Sequence, residues 1–281
     1  MILFQQQGEP VSCSRRINSL VSAVVEKAWF WTRVEALVYP VVTSKRISLQ
    51  EARMCGRFIQ ITDPDKIRVL FTELDVDTKA LARYMPRYNI SPTAPVLTVL
   101  NHSTPLLTLT RWGLIPFWAQ DPSIGNRLIN ARAETLSSKP SFREPFRKRR
   151  CLIFADGFYE WSSGGRTKTP FFVRMKNKEP FAMAGLWDSW ISKDTSEEIR
   201  SSIIITTEPN TLVEKIHNRM PVIVPPEQYA SWLKSVPVSE SDLMASLRPY
   251  PAQKMETYEI SRRVNNPMND SPACISPAQG S

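Results

Sequence analysis

Twenty-three prolines interrupt this 281-residue chain, and they constrain its fold more than any other feature. Each removes a backbone donor and fixes φ, so an interior proline breaks a helix or a central strand. Long helices and a regular βαβ winding are therefore disfavoured. What remains is a mixed α and β domain built from short elements. Apolar residues make up 42% of the chain and aromatic residues 10%, which suits a packed core rather than disorder. The length fits one large domain or two small ones.

The texture changes at Met54. Residues 1–53 show neither clear alternation nor strands delimited by turns, although a ragged apolar side allows a helix from about Ser19 to Val38. We read this segment as an N-terminal extension outside the fold. A mis-set start and a leader that is removed both remain open. From Met54 onward, Phe58 to Ile61 predicts a strand, and Thr62 or Asp63 caps a helix with Pro64 in its first turn, running to about Leu74. Tyr88 to Thr93 reads as a loop. Pro95 to Leu100 and Leu106 to Trp112 form a hairpin. Asn130 to Glu134 opens a helix, and Phe142 to Phe146 belongs to another. Further strands fall at Cys151 to Phe154, Phe171 to Met175, Phe181 to Leu186, Ser202 to Thr206, Val222 to Val224 and Met255 to Ile260. Helices are expected at Pro209 to Ile216, Pro226 to Leu233 and Asp242 to Leu247.

The net charge of +9 is compatible with a polyanionic partner, nucleic acid or an anionic membrane surface, and equally with a merely basic soluble protein. The four cysteines, Cys13, Cys55, Cys151 and Cys274, contain no C-x-x-C pair and no histidine at ligand spacing. That argues against a zinc site and for a reducing compartment. The most apolar early stretch, Leu20 to Val42, is broken by Glu26, Lys27, Arg33 and Glu35 and would span a bilayer badly. A cytoplasmic protein is expected. No phosphate-binding glycine loop, nucleophile elbow or H-E-x-x-H motif occurs, so no metal or cofactor is expected.

Several residues have the chemistry of a site. Cys55 stands in Met54-Cys55-Gly56-Arg57, which is what a chain start would look like if methionine removal were meant to expose an N-terminal cysteine. Such a cysteine has an α-amine and a thiol on neighbouring atoms, able together to trap an aldehyde as a thiazolidine. The plainer reading is a small buried hydrophobe. Gly56 admits close approach, and the Arg57 cation favours a thiolate or holds a phosphate. His217, one of two histidines, precedes Asn218-Arg219-Met220-Pro221 and titrates near neutral pH. Glu160 lies between Tyr159 and Trp161, where desolvation raises a carboxyl pKa toward acid–base values, although an edge-strand glutamate facing water fits as well. Asn130 and Arg132 alternate so that both face one cleft, or Asn130 is a helix cap. The basic run Arg143, Arg147, Lys148, Arg149 and Arg150 is a solvated face or a phosphate track.

Taken in order, Met54-Cys55-Gly56-Arg57, Tyr88-Asn89-Ile90-Ser91-Pro92-Thr93, Arg111-Trp112-Gly113-Leu114-Ile115-Pro116, Asn130-Ala131-Arg132-Ala133-Glu134-Thr135, Arg150-Cys151-Leu152, Gly157-Phe158-Tyr159-Glu160-Trp161 and His217-Asn218-Arg219-Met220-Pro221 closely resemble the SOS-response-associated peptidase (SRAP) family of abasic-site-processing proteins. The resemblance runs from about residue 54 to the tail near Cys274. It implies an α+β fold, a single domain over residues 54–275 with a tail at 276–281. The core would be a strongly bent antiparallel sheet, barrel-like and flanked by short helices. It also implies a basic groove for single-stranded DNA containing abasic sites. Carried over by position, Cys55 is the nucleophile, with Asn130, Glu160 and His217 as its catalytic partners. Arg57, Trp112, Arg132, Trp161 and Arg219 become candidates for holding DNA.

Three functions follow as expectations. The first is covalent capture of an abasic site as a thiazolidine on Cys55, with some lyase side activity, by a monomer that associates with the nucleoid when bound to DNA. The second is a thiol-dependent peptidase that removes its own leader. The third is a plain single-stranded DNA-binding module. In the chain as written the Cys55 nitrogen is an amide and cannot form an imine, so the active form is expected to begin at Cys55.

Overall fold

The computed structural model describes residues 56–70, 76, 79–162, 168–235 and 239–278. The expected helix from Ser19 to Val38, and Cys55 itself, lie outside the described residues.

Thirteen strands are present among the described residues: β1 (Arg57–Gln60), β2 (Arg87–Ile90), β3 (Pro95–Leu100), β4 (Leu106–Trp112), β5 (Asn130–Arg132), β6 (Arg150–Ala155), β7 (Gly157–Ser162), β8 (Thr169–Met175), β9 (Phe181–Ile191), β10 (Glu198–Thr207), β11 (Met220–Pro221), β12 (Ile223–Val224) and β13 (Met255–Glu259). The α-helices are short, as the prolines require: α1 (Pro64–Leu70), α2 (Pro140–Lys148), α3 (Tyr229–Trp232) and α4 (Glu240–Ala245). The strands make two sheets. The smaller runs β13-β8-β7-β1-β2 and is antiparallel throughout. In the larger, β10 pairs with β4 in parallel and with β9 in antiparallel. Strands β10, β4, β3, β6 and β9 thereby form a closed five-stranded ring, to which β5, β11 and β12 are added. The α+β class and the bent, barrel-like core expected from sequence are both present.

Residue alternation divides the core into layers. On β6, Leu152 and Phe154 face Phe142 and Phe146 of α2, Trp232 of α3 and Leu243 of α4. Cys151, Ile153 and Ala155 face the other way, toward Phe58 of β1, Phe158 of β7 and Val173 of β8. The second cluster is the seam between the sheets. A strand buried on both faces reads as a continuous apolar run, which is why β6 is so plain in the sequence. Gly157 sits where a Cβ would lie 2.2 Å from the Phe172 ring, so only glycine lets β7 pair closely with β8.

Four expectations need correction. Asn130 to Glu134 does not open a helix. It forms β5, drawn out by parallel pairing with Ile204, Ile205 and Thr206, and then one 3-10 turn at Ala133–Thr135. Half of the Tyr88 to Thr93 loop belongs to β2. The helix over Pro209 to Ile216 shrinks to a 3-10 turn at Val213–Lys215. The tail does not begin at residue 276, because Pro277 bridges Ile260 and Ala278 donates to the Glu259 carbonyl at 3.0 Å. The basic run also breaks up. Arg150 is fully buried and donates to the carbonyls of Phe146, Arg147, Trp232 and Lys234, tying α2 and α3 to β6. Arg147 pairs with Glu240, and Arg149 with Glu144 and Asp188.

Candidate active site

The seam between the sheets positions the candidate catalytic residues. Phe58 pairs with Phe158, and both point into the seam. Glu160 lies two residues beyond Phe158 on the same strand and so projects to the same side. It is only 2% exposed. Asn130 is the register partner of Ile204, whose side chain also lies in the seam. The large and small sheets therefore aim an amide and a carboxyl group into one space. Cys55 lies outside the described residues, but the adjoining register is clear. Arg57, the first residue of β1, pairs with Tyr159, the neighbour of Glu160 in β7. In sequence, Cys55 stands two residues before the start of β1.

His217 stands on a short loop whose two ends are buried in the same seam. Val213 before it and Met220 after it are fully buried in the seam. Asn210 shapes the loop entry. Its Oδ1 accepts from the Leu212 and Val213 amides at 3.1 and 3.0 Å, and its Nδ2 donates to the Tyr250 carbonyl at 2.6 Å. The half-buried imidazole accepts the Arg219 backbone N–H on Nδ1 at 3.2 Å. That bond leaves the proton of the neutral ring on Nε2. Burial, assisted by the Lys168 charge, holds the ring pKa below its ordinary value. Burial thus favours the neutral form of His217, with Nδ1 held by the Arg219 amide.

The candidates for holding DNA separate by location. Trp112 is fully buried, edge-on to Phe58 with ring centroids 4.9 Å apart, and its indole N–H donates to the Ile129 carbonyl at 3.0 Å. It has no face to offer a base, which corrects the expectation drawn from the motif. Its place is the seam core, beneath the site. Arg57 and Trp161 alternate with Phe58 and Glu160, so they sit on the opposite face of the small sheet, under the C-terminal segment. Arg57 donates to Asn89 Oδ1 at 2.6 Å and to the Val264 carbonyl at 2.8 Å, so its guanidinium ties the fold together. Trp161 is half-buried, its indole N–H held by Asn265 Oδ1 at 2.8 Å. Arg219 grips Glu134 through two bonds of 2.7 and 3.0 Å and the Thr206 carbonyl at 2.6 Å. This pair draws the Glu134 pKa down and braces the turn after β5 against the His217 loop. Arg132 is exposed at the end of β5.

Sequence reasoning passed over Phe117 and Trp118, adjacent aromatics that are 55% and 49% exposed. They follow Pro116 at the end of the Arg111 to Pro116 motif. The Phe117 amide donates to Asp188 Oδ2 at 3.1 Å, and the Arg149 guanidinium lies 5.8 Å from its ring. Two large aromatics left in solvent side by side were the available signal, since burial claims most such residues. Among the described residues, no group of three or more His, Cys, Asp or Glu side chains could hold a metal ion, and no helix is long and apolar enough to cross a membrane.

Comparison with known proteins places this arrangement. The family described as SOS response associated peptidase (SRAP) matches residues 54–267. The abasic site processing protein YoqW of Bacillus subtilis is 43% identical over 225 residues, covering 79% of this chain and 99% of that protein. The abasic site processing protein YedK of Escherichia coli is 30% identical over 227 residues, covering 80% of this chain and 100% of that protein. A crystal structure of a protein from Bacteroides thetaiotaomicron superposes with a TM-score of 0.70 at 30% identity, covering 80% of this chain and all of that one. The chain belongs to the SRAP family.

Proposed function

We propose that this protein recognises abasic sites in single-stranded DNA and captures them covalently on Cys55, once that residue is N-terminal, shielding the damaged strand. The observation that carries the reading is the Glu160 carboxyl group, 2% exposed in the seam and flanked by the strand that leads to Cys55. The names of the relatives, abasic site processing proteins, support the substrate class.

An abasic deoxyribose is mostly a closed hemiacetal. Neutral His217 takes the anomeric hydroxyl proton and returns one to the ring oxygen, opening the sugar to its aldehyde. The neutral Cys55 amine adds to the carbonyl carbon and gives a carbinolamine. Glu160 delivers a proton to the departing hydroxyl, which leaves as water, and takes back the nitrogen's proton, so that an imine forms and the acid is regenerated. The thiol sulfur then bonds to the imine carbon while its proton passes to the nitrogen. The net change is aldehyde plus cysteine to thiazolidine plus one water. Asn130 orients the amine or the sugar hydroxyls. A positioned acid or base of this kind contributes about 10²–10⁴-fold. An imine that fails to close undergoes β-elimination, so lyase activity is a minor companion. Exposed Arg132 meets a phosphate. Phe117, Trp118 and the open side of Trp161 offer surfaces on which bases stack.

The mechanism requires an active form that starts at Cys55. The family description as a peptidase supports a second reading, in which Cys55, His217 and Glu160 cleave the Met54–Cys55 bond. Mass spectrometry after incubation with abasic single-stranded DNA separates the two. Capture gives a DNA adduct on the Cys55 peptide, absent in Cys55→Ala. Cleavage of the longer chain, abolished by Cys55→Ala, with no adduct on any form, would replace capture by the peptidase reading.

A further inference from the structure

We infer that the C-terminal segment from Ile260 to Ala278 is a positioning strap for the start of β1, and that Asn89 and Asp270 are the two residues that fasten it. The inference deepens the proposed function, because the start of β1 is where the chain presents Cys55.

The strap lies on the face of the small sheet opposite the seam. Val264 is fully buried there with Ile59, Tyr159, Phe172 and Ile260. Apolar packing alone would let such a short segment slide. Its register is set by Asn89, whose side chain is fully buried. Asn89 Nδ2 lies 3.1 Å from the Val264 carbonyl, 3.1 Å from that of Asn266 and 2.7 Å from that of Asn269. Its Oδ1 accepts from Arg57. Asp270 holds the other end, accepting the Tyr88 and Asn89 amides at 2.5 and 3.0 Å and pairing with Arg87. These bonds cap the free side of β2, the edge strand of the small sheet.

The strap then reaches β7, which carries Glu160, and β1 beside it. The Val264 carbonyl receives Arg57 Nη1, and the Asn265 carbonyl receives Nη2 at 3.4 Å, so the first residue of β1 is gripped by its side chain. Asn265 Oδ1 meanwhile receives the Trp161 indole N–H of β7. β1 is only four residues long, and Arg57 is its first residue. Ladder bonds fray at a strand end, and here the side-chain clamp restrains that end two residues from Cys55. Displacing a reacting group by about 1 Å costs on the order of 100-fold in rate. Asn89 and Asp270 act through the strap and touch no substrate, so they are positioning residues.

The test uses protein that begins at Cys55, as wild type, Asn89→Ala, Asp270→Asn and a control, Phe146→Leu, which weakens the helical layer far from the strap. Amide hydrogen exchange at Gly56 to Phe58, without DNA, reads the clamp. We expect exchange at least tenfold faster in Asn89→Ala and Asp270→Asn and unchanged in the control. Single-turnover adduct formation at saturating abasic DNA should fall at least tenfold in both strap variants, while the control retains the wild-type rate. A general loss of stability would slow the control as well. Unchanged exchange, or a wild-type rate in the strap variants, overturns the inference. Faster exchange in a set where even wild type forms no adduct leaves the clamp standing and refutes the capture reading instead.

Discussion

Replacing Glu160 by glutamine tests its proposed role as the acid. The side chain keeps its volume and one carbonyl acceptor, and it sits 2% exposed in a packed seam, so the isostere leaves no cavity. What it loses is the ionisable proton that the proposed role requires. Burial also denies bulk water the chance to substitute, which places the loss in the middle to upper part of the range for a positioned acid. We expect a fall of about 10²–10³-fold in the rate of adduct formation at saturating DNA. At 1.36 kcal/mol per factor of ten, that is about 2.7–4 kcal/mol on the barrier. The assay is a single-turnover time course with protein beginning at Cys55 and an abasic oligonucleotide, resolved as a slow-migrating band stable to heat. Kd should stay within about twofold, and a carbinolamine or open aldehyde should be trappable in the variant. A rate within threefold of wild type would refute the assignment of Glu160 as the acid.

Three further outcomes follow from the geometry. His217 should titrate below the ordinary 6.5 of a free imidazole, with its neutral tautomer protonated on Nε2, and NMR of the two histidine rings reads both. Its depressed pKa makes a stability contribution that is present above about pH 6.5 and lost as pH falls through the folded value; titration above 6.5 would contradict the burial argument. Trp112→Ala should cost about 3–5 kcal/mol of stability by denaturant unfolding, because a fully buried indole and its bond to Ile129 are lost, and a cost below about 1 kcal/mol would deny its place in the core. Trp118→Ala should leave stability nearly unchanged but weaken binding of single-stranded DNA by about 1–3 kcal/mol, and equal affinity would remove the aromatic shelf from the DNA path.

The strands were legible where one chain segment decides its own fate. β6 and the core of β10 are continuous apolar runs, and the β3–β4 hairpin announces itself by two strands around a polar turn. What escaped was set by distant partners. Asn130 carries a helix-cap signature, yet pairing with Ile204, 74 positions away, makes it a strand residue. The Tyr88-Asn89 pair looks like a loop because its bonds go to Asp270 and the strap. Arg150 sits in a run of like charges, the usual mark of a solvated face, but carbonyls left at the end of α2 and after α3 give it a buried place. Trp112 lies six residues before the exposed Trp118, and local sequence does not say which of the two faces inward. The catalytic candidates were legible for another reason. Residue by residue, Glu160, Asn130 and His217 had plain structural readings beside the catalytic ones, and their catalytic roles rest on the order of the motifs.

The account rests on a free Cys55 amine. Intact-mass analysis of two forms, one beginning at Cys55 and one retaining residues 1–53, after incubation with abasic single-stranded DNA tests it most directly. The account predicts an adduct of protein plus DNA minus one water on the form that begins at Cys55, and none on the longer form unless it is first cleaved before Cys55. An adduct of that mass on protein still carrying residues 1–53 would contradict it.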